Sequence, residues 1–380
     1  MFNMELNLGN IFFSLLDNDK KARLGVLKTA HGNIETPVFM PVGTLGSVKG
    51  IFPDDLKKIG VQIILGNTYH LMIRPGENLI QQMGGLQKFM SWEGPILTDS
   101  GGFQIWSLSK LRKIDRQGVT FSSHLDGKRY RLTPDSSIKI QKKLNADISM
   151  VLDECTNYPS SYQETSDSLD LTIKWAKDSK KSYISRKGFG LFSIIQGGMH
   201  KPLRKKSTEI LVNMNFDGYA IGGLSVGETH KEMINIVKYT TKFIPQNKPR
   251  YLMGVGRPID IFKSVENGID MFDCVLPTRF GRNGRAFTSE GEINLRNAKF
   301  AKDKESLDKN IDCPASKNFS RGYIHHLTKT NEILSSMIIS LHNIAFYQKM
   351  MSDIRNAIKN KRFLELKRKY MDCHGIYEKT

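Results

Sequence analysis

Short continuous apolar runs, each ending in small or polar residues, recur along the chain. They cover 36–42, 62–68, 95–101, 147–155, 190–198, 218–227, 250–255 and 271–278. None alternates apolar with polar positions, as a half-exposed strand would. Continuous apolarity marks strands buried on both faces of a parallel sheet. Most of the gaps carry helical spacing: 53–59, 134–145, 160–181, 201–214, 228–242 and 258–266. Strands alternating with helices make βα units, and eight of them predict an α/β chain folded as a (β/α)8 TIM barrel. An open doubly wound sheet is the competing arrangement.

Other segments break this rhythm. Residues 11–28, with Asp17-Asn18-Asp19 and Gly25, predict an N-terminal hairpin or small sheet. Residues 119–132 predict a second hairpin turning at Asp126-Gly127, and 285–297 a third around Ser289-Glu290-Gly291-Glu292. The stretch 301–318 is polar and weakly patterned. Residues 333–369 read as mostly helical, with a basic end (Lys359, Lys361, Arg362, Lys367, Arg368, Lys369). The expected organisation is one barrel domain over 1–380, a subdomain at 285–350 within it, and a basic C-terminal helix at 351–380.

Composition narrows the classes. Of 380 residues, 39% are apolar and 25% charged, which excludes a disordered chain. No apolar run reaches 18 residues, so no spanning helix and no membrane partner is expected. Cys155, Cys274, Cys313 and Cys373 are too scattered for a disulfide framework. With no basic leader or cleavage site, a cytoplasmic location is expected. Against 38 acidic residues stand 56 Lys and Arg, a formal net charge of +18. On an enzyme-sized chain that excess points to a polyanion such as nucleic acid; a Lys-rich proteome is the other source.

Barrel enzymes carry their chemistry at the C-terminal strand ends. Those ends hold Asn67, Thr68, Asp99, Ser100, Asp153, Glu154, Gln196, Gly222, Gly223, Met253, Gly254 and Asp273. Asp99, Asp153 and Asp273 interrupt apolar runs. A buried carboxylate is costly unless paired or functional, although a capping role is common for one alone. Asp99 precedes Ser100-Gly101-Gly102-Phe103-Gln104, where two glycines allow a ligand close to the backbone; no lysine follows as in a P-loop. Two acids at one mouth suit displacement at a sugar carbon, one attacking and one handling protons. Arg279, Arg282 and Arg285, spaced by three, are placed to meet phosphates or form a solvated loop. His325 and His326 read as structural or RNA-facing, and Cys274 as a small buried residue.

Several motifs together resemble the tRNA-guanine transglycosylase family. They are Thr36-Pro37-Val38-Phe39-Met40-Pro41-Val42-Gly43-Thr44, Gly66-Asn67-Thr68-Tyr69-His70-Leu71, Thr98-Asp99-Ser100-Gly101-Gly102-Phe103-Gln104 and Ile195-Gln196-Gly197-Gly198. Further along come Ile221-Gly222-Gly223-Leu224-Ser225-Val226-Gly227-Glu228, Tyr251-Leu252-Met253-Gly254-Val255-Gly256, Asp273-Cys274-Val275-Leu276-Pro277-Thr278-Arg279 and Ser320-Arg321-Gly322-Tyr323-Ile324-His325-His326-Leu327. The resemblance implies exchange of guanine at the wobble position of tRNAs with a G-U-N anticodon for 7-aminomethyl-7-deazaguanine, on the way to queuosine, by a homodimer. It makes Asp273 the nucleophile at ribose C1′ and Asp99 the proton acceptor. Ser100, Gly101, Gly102, Phe103, Asp153, Gln196, Gly223, Leu224 and Met253 would hold the base. Asp153 would accept its N–H groups, Gln196 and the Gly223 N–H would donate to its carbonyl, and Phe103 and Met253 would sandwich the ring. Val226 and Cys155 imply the small precursor base rather than queuine. Gly254, Val255, Gly256, Arg257, Pro258, Ile259, Asp260, Thr278, Arg279, Phe280, Gly281 and Arg282 would meet the anticodon loop. A non-catalytic tRNA-binding or partner subunit of the same family is the alternative, and a barrel enzyme acting on phosphate esters a third reading.

The resemblance also implies a zinc site, from which this sequence departs. Its four ligand positions fall on Ile311, Cys313, Ser316 and His342. Isoleucine cannot ligate and a neutral serine hydroxyl is a poor zinc ligand, so no zinc and no other cofactor is expected.

Overall fold

A computed structural model describes residues 10–108 and 112–374. Eight short strands form one parallel sheet: β1 (Val38–Pro41), β2 (Ile64–Gly66), β3 (Ile96–Thr98), β4 (Ile148–Met150), β5 (Gly190–Ile195), β6 (Gly218–Ile221), β7 (Arg250–Leu252) and β8 (Met271–Cys274). From β2 to β8 each strand pairs with the next in sequence, and β8 pairs with β1, Phe272 opposite Phe39. The ring closes between β1 and β2, where Val42 bridges Leu65 and the Gly43 N–H donates to the Leu65 carbonyl at 2.7 Å. Closure removes the open-sheet alternative. Phe39, Met40, Ile96, Ile195, Leu252 and Phe272 are fully buried, as the continuous runs require.

The strands are shorter than the runs that announced them. Run 147–155 yields only Ile148–Met150, because Val151 and Leu152 stay buried after the strand pairing ends. Periodicity reports burial, and burial outlasts the hydrogen-bonded ladder.

The helices follow the expected pattern: Pro53–Lys58, Pro134–Lys143, Tyr162–Ser182, Lys201–Asn213, His230–Thr240 and Pro258–Val265. Capping boxes at Thr133, Ser161 and Thr229 fix three of their starts. Between β2 and β3 lie three six-residue helices, Thr68–Ile73, Glu77–Gln82 and Gly85–Met90, too short to show a period in sequence.

Both expected hairpins in the first half gain a strand. Phe12–Asp19, Ala22–Thr29 and Gly32–Thr36 form a three-stranded sheet, as do Arg112–Asp115, Gly118–Ser122 and Arg129–Leu132. The first covers the N-terminal end of the barrel. There His31 meets Asp147, just ahead of β4, and Arg23 meets Asp270, just ahead of β8.

After β8 come the helix Leu276–Arg282, the hairpin Arg285–Thr288 with Gly291–Asn294, and the helices Pro314–Lys317, Arg321–Lys329, Ile333–Lys359 and Phe363–His374. The 27-residue helix crosses residue 350 without a break, so the expected helix at 351–380 is corrected to two pieces. They part at Asn360–Arg362, where Lys361 adopts φ 57°; residues 375–380 lie outside the described residues. Gln348 and Arg355 of the long helix donate to the Phe39 and Pro37 carbonyls, docking it on β1. Among the described residues no helix is long and apolar enough to cross a membrane. All four cysteines are free thiols.

Asp270 joins sheet to barrel: it accepts Arg23 Nε at 3.0 Å and the Arg250 N–H at 2.8 Å, wholly buried. Replacing it by Ala strands the buried Arg23 guanidinium, and urea unfolding of Asp270→Ala should lose about 3–5 kcal/mol.

Candidate active site

The C-terminal strand ends open into one cavity of about 640 Å³. Asp99 after β3, Asp153 after β4 and Asp273 in β8 all line it. The three carboxylates that the sequence placed at strand ends share one space.

Asp99 is held from three sides. Its Oδ1 accepts the Thr68 N–H at 2.9 Å, and its Oδ2 accepts Asn67 Nδ2 at 2.5 Å and Gln104 Nε2 at 2.8 Å. Burial outweighs these donors and pushes its pKa up to about 6, with the Asp273 charge adding to the rise. In Asp273, Oδ1 takes both the Tyr251 hydroxyl at 2.5 Å and the Gly254 N–H at 2.8 Å. Burial raises this carboxyl too, although the side chain keeps some contact with solvent. Both of these donors sit on Oδ1 rather than Oδ2. Asp153 accepts Ser100 Oγ at 3.2 Å and Gln196 Nε2 at 2.8 Å, and burial lifts it to about 6. Neutral donors hold all three acids.

Gln196, Gly223, Leu224, Met253, Ser100 and Phe103 line the same cavity. Phe103 stands 48% exposed at the rim, tilted against Trp106 at 5.4 Å. The freedom expected of Gly102 serves the protein's own packing: a Cβ there would lie 2.7 Å from the Asp153 carbonyl oxygen. Gly223, at φ 63°, has no room for a side chain either, since a Cβ would meet Gln196 Oε1 at 2.2 Å. Glu228 accepts the N–H groups of Ser225 and Val226. In the planar peptide the Leu224 carbonyl points opposite to the Ser225 N–H, hence away from Glu228.

The expected anticodon-loop residues divide. Arg279 and Arg282 are exposed, and Gly254 is open at the rim. Val255, Gly256, Pro258, Thr278, Phe280 and Gly281 are buried, and Arg257 and Ile259 are partly so. Asp260 is buried with its carboxylate on His230 Nδ1 at 2.9 Å. Arg285 is corrected from the arginine series: it pairs with Glu292 and covers the Phe280 ring at 4.3 Å.

Asn67 was marked by its strand end, Gln104, Tyr251 and Glu228 were visible in sequence only as motif members, and Arg204 and His230 not at all. Arg204 sits four residues into a helix, and nothing in its neighbours marks it as fully buried.

At the zinc-like positions, Ile311 and Cys313 are buried and Ser316 Oγ lies 2.8 Å from His342 Nδ1. His342 Nε2 lies 2.7 Å from the Phe287 carbonyl, so it carries the proton and Nδ1 accepts the serine hydroxyl. Both ring nitrogens are engaged within the protein. These residues do not fit a zinc ion.

The comparisons with known proteins agree with this geometry. The family model for queuine tRNA-ribosyltransferase matches residues 17–375. A queuine tRNA-ribosyltransferase of Rickettsia typhi is 53% identical over 347 residues, 91% of this chain and 96% of that protein. The proteins of that name from Rickettsia africae and Rickettsia canadensis are 52% identical over the same shares. With the family model matched over residues 17–375 and relatives covered nearly end to end, the chain belongs to the queuine tRNA-ribosyltransferase family.

Proposed function

We propose that the protein exchanges guanine at the wobble position of G-U-N anticodon tRNAs for 7-aminomethyl-7-deazaguanine. The observation that carries this reading is the convergence of Asp99 and Asp273 on one cavity, with both donors to Asp273 on Oδ1. A pure binding subunit would gain nothing from burying two such acids.

In the first displacement Asp273 Oδ2 bonds to ribose C1′ as the C1′–N9 bond breaks. The electron pair leaves with guanine, whose N9 takes a proton from Asp99. In the second, N9 of the incoming base bonds to C1′, the C1′–Oδ2 bond breaks, and Asp99 receives the N9 proton. Two inversions retain configuration. Tyr251 and the Gly254 N–H hold Oδ1, fix the carboxylate's direction and share its charge as it is re-formed.

Asp153 accepts the ring N–H and exocyclic amine, Gln196 and the Gly223 N–H serve the carbonyl oxygen, and Phe103 and Met253 flank the ring. The Leu224 carbonyl, turned away from Glu228, suits the aminomethyl group of the precursor base. The exposed Arg279 and Arg282 suit phosphates of the anticodon loop. We assign the protein to the cytoplasm and to a homodimer by the same family reading.

We further propose that it works without zinc, the Ser316–His342–Phe287 chain standing where ligands would be.

Three measurements test this. Asp273→Ala should abolish the covalent tRNA adduct on denaturing gels while tRNA binding persists; an adduct that survives removes the nucleophile assignment. Exchange should fall as pH drops through about 6, since recognition of the base N–H groups needs Asp153 ionised, whereas Asp99 enters the cycle protonated and regains its proton in the second displacement. Both acids hold protons more tightly folded than unfolded, so the same titration between about pH 6 and 4 adds stability rather than removing it. A melting temperature that falls in step with activity would contradict this. Purified protein should hold substoichiometric zinc and melt unchanged with 1,10-phenanthroline, whereas Ser316→Ala should cost about 1–3 kcal/mol by orphaning His342 Nδ1; stoichiometric, chelator-sensitive zinc would sink the metal-free reading.

A further inference from the structure

Arg204 is a wholly buried cation beside the base cavity, and its partners are carbonyl oxygens. Its Nε donates to Gly198 O at 2.8 Å, and its Nη1 to Ile195 O at 2.7 Å and Gly222 O at 2.8 Å. Nη2 reaches Gly223 O at 3.4 Å. Among the described residues no carboxylate stands within ion-pair distance of it. Burial lowers its pKa only to about 10, so it stays charged at neutral pH. A buried guanidinium is costly, and an aliphatic side chain would fill a purely structural site at less expense.

The carbonyl of Gly222 belongs to the same peptide group as the Gly223 N–H. That N–H has no protein acceptor among the described residues, and Gly223 lines the cavity. The Ile195 carbonyl, which Arg204 also holds, accepts the Gly222 N–H at 3.1 Å and so fixes this turn beside Gln196. We infer that Arg204 is a positioning residue: it aims the Gly222–Gly223 peptide and, by charging its carbonyl end, strengthens the Gly223 N–H as donor to the base carbonyl oxygen. Hydrogen bonds in series polarise one another, and a charged member makes the effect largest. Negative charge develops on that oxygen as guanine departs, so the relay favours the displacement. The inference rests on the proposed base exchange and deepens it by naming what powers the carbonyl-directed donor.

The test measures inhibition of exchange by guanine, hypoxanthine and 6-thioguanine on the wild type, Arg204→Lys and Arg204→Gln. Hypoxanthine keeps the carbonyl and ring N–H but lacks the amine; 6-thioguanine keeps both N–H groups but offers a weak sulfur acceptor. The variants should weaken guanine and hypoxanthine by about tenfold each and 6-thioguanine by less than about threefold, the tRNA KM moving little. A uniform loss for all three bases means a loosened pocket and overturns the relay, as does no loss. Should neither variant fold, the wild type decides: it should prefer guanine to 6-thioguanine by about tenfold or more, and equal affinity overturns the inference. Wild-type exchange of radiolabelled guanine runs alongside, so that a failure of the enzymatic reading, with no exchange, is seen apart from a failure of the relay.

Discussion

Closure of the barrel between β1 and β2 is the constraint on which the rest depends. The short contact of Gly43 with Leu65 and the bridge from Val42 turn eight separate strands into a ring. Only then do residues separated by more than a hundred positions face one another. Asp99 follows strand three and Asp273 lies on strand eight, yet the Asp273 charge is felt at Asp99. The ring also encloses the strand ends, and burial dominates the behaviour of all three acids. Those acids are held by amides and hydroxyls rather than by lysine or arginine. A cation at that distance would favour their ionised forms and oppose the effect of burial.

The two ends of the barrel handle charge differently. At the N-terminal end Asp147 and Asp270 are tied to His31 and Arg23 and serve the joint between sheet and barrel. At the C-terminal end the carboxylates keep open valences. The region after β8 offers a parallel case. A chain of ordinary hydrogen bonds through His342 joins Ser316 to the hairpin residue Phe287, where one thiol and one imidazole would have made a poor metal site.

Much of this was legible beforehand. Continuous apolar runs announced the strands, and polar residues at their ends announced the mouth, because a parallel sheet covered on both faces leaves only its edges for chemistry. The motif with Asp99 and the one with Asp273 marked both acids. The short helices after β2 stayed hidden because six residues make less than two turns. The division of the C-terminal segment at Asn360–Arg362 was hidden because a single lysine at φ 57° carries no compositional signal. Arg285 looked equivalent to Arg279 and Arg282 by spacing, but spacing predicts a shared face only within one helix, and the helix ends at Arg282.

Sequence alone determined which residues are apolar, where strands and helices alternate, and which acids stand at strand ends, since these follow from local burial and period. Tertiary structure alone decided that both donors to Asp273 sit on one oxygen, that Glu228 holds the N–H of the Leu224–Ser225 peptide, and that Arg204 lies beneath Gly222 and Gly223. The first and last rest on hydrogen bonds between different elements and the second on a loop folding back on itself, and no local pattern encodes the direction in which a side chain will find its partner.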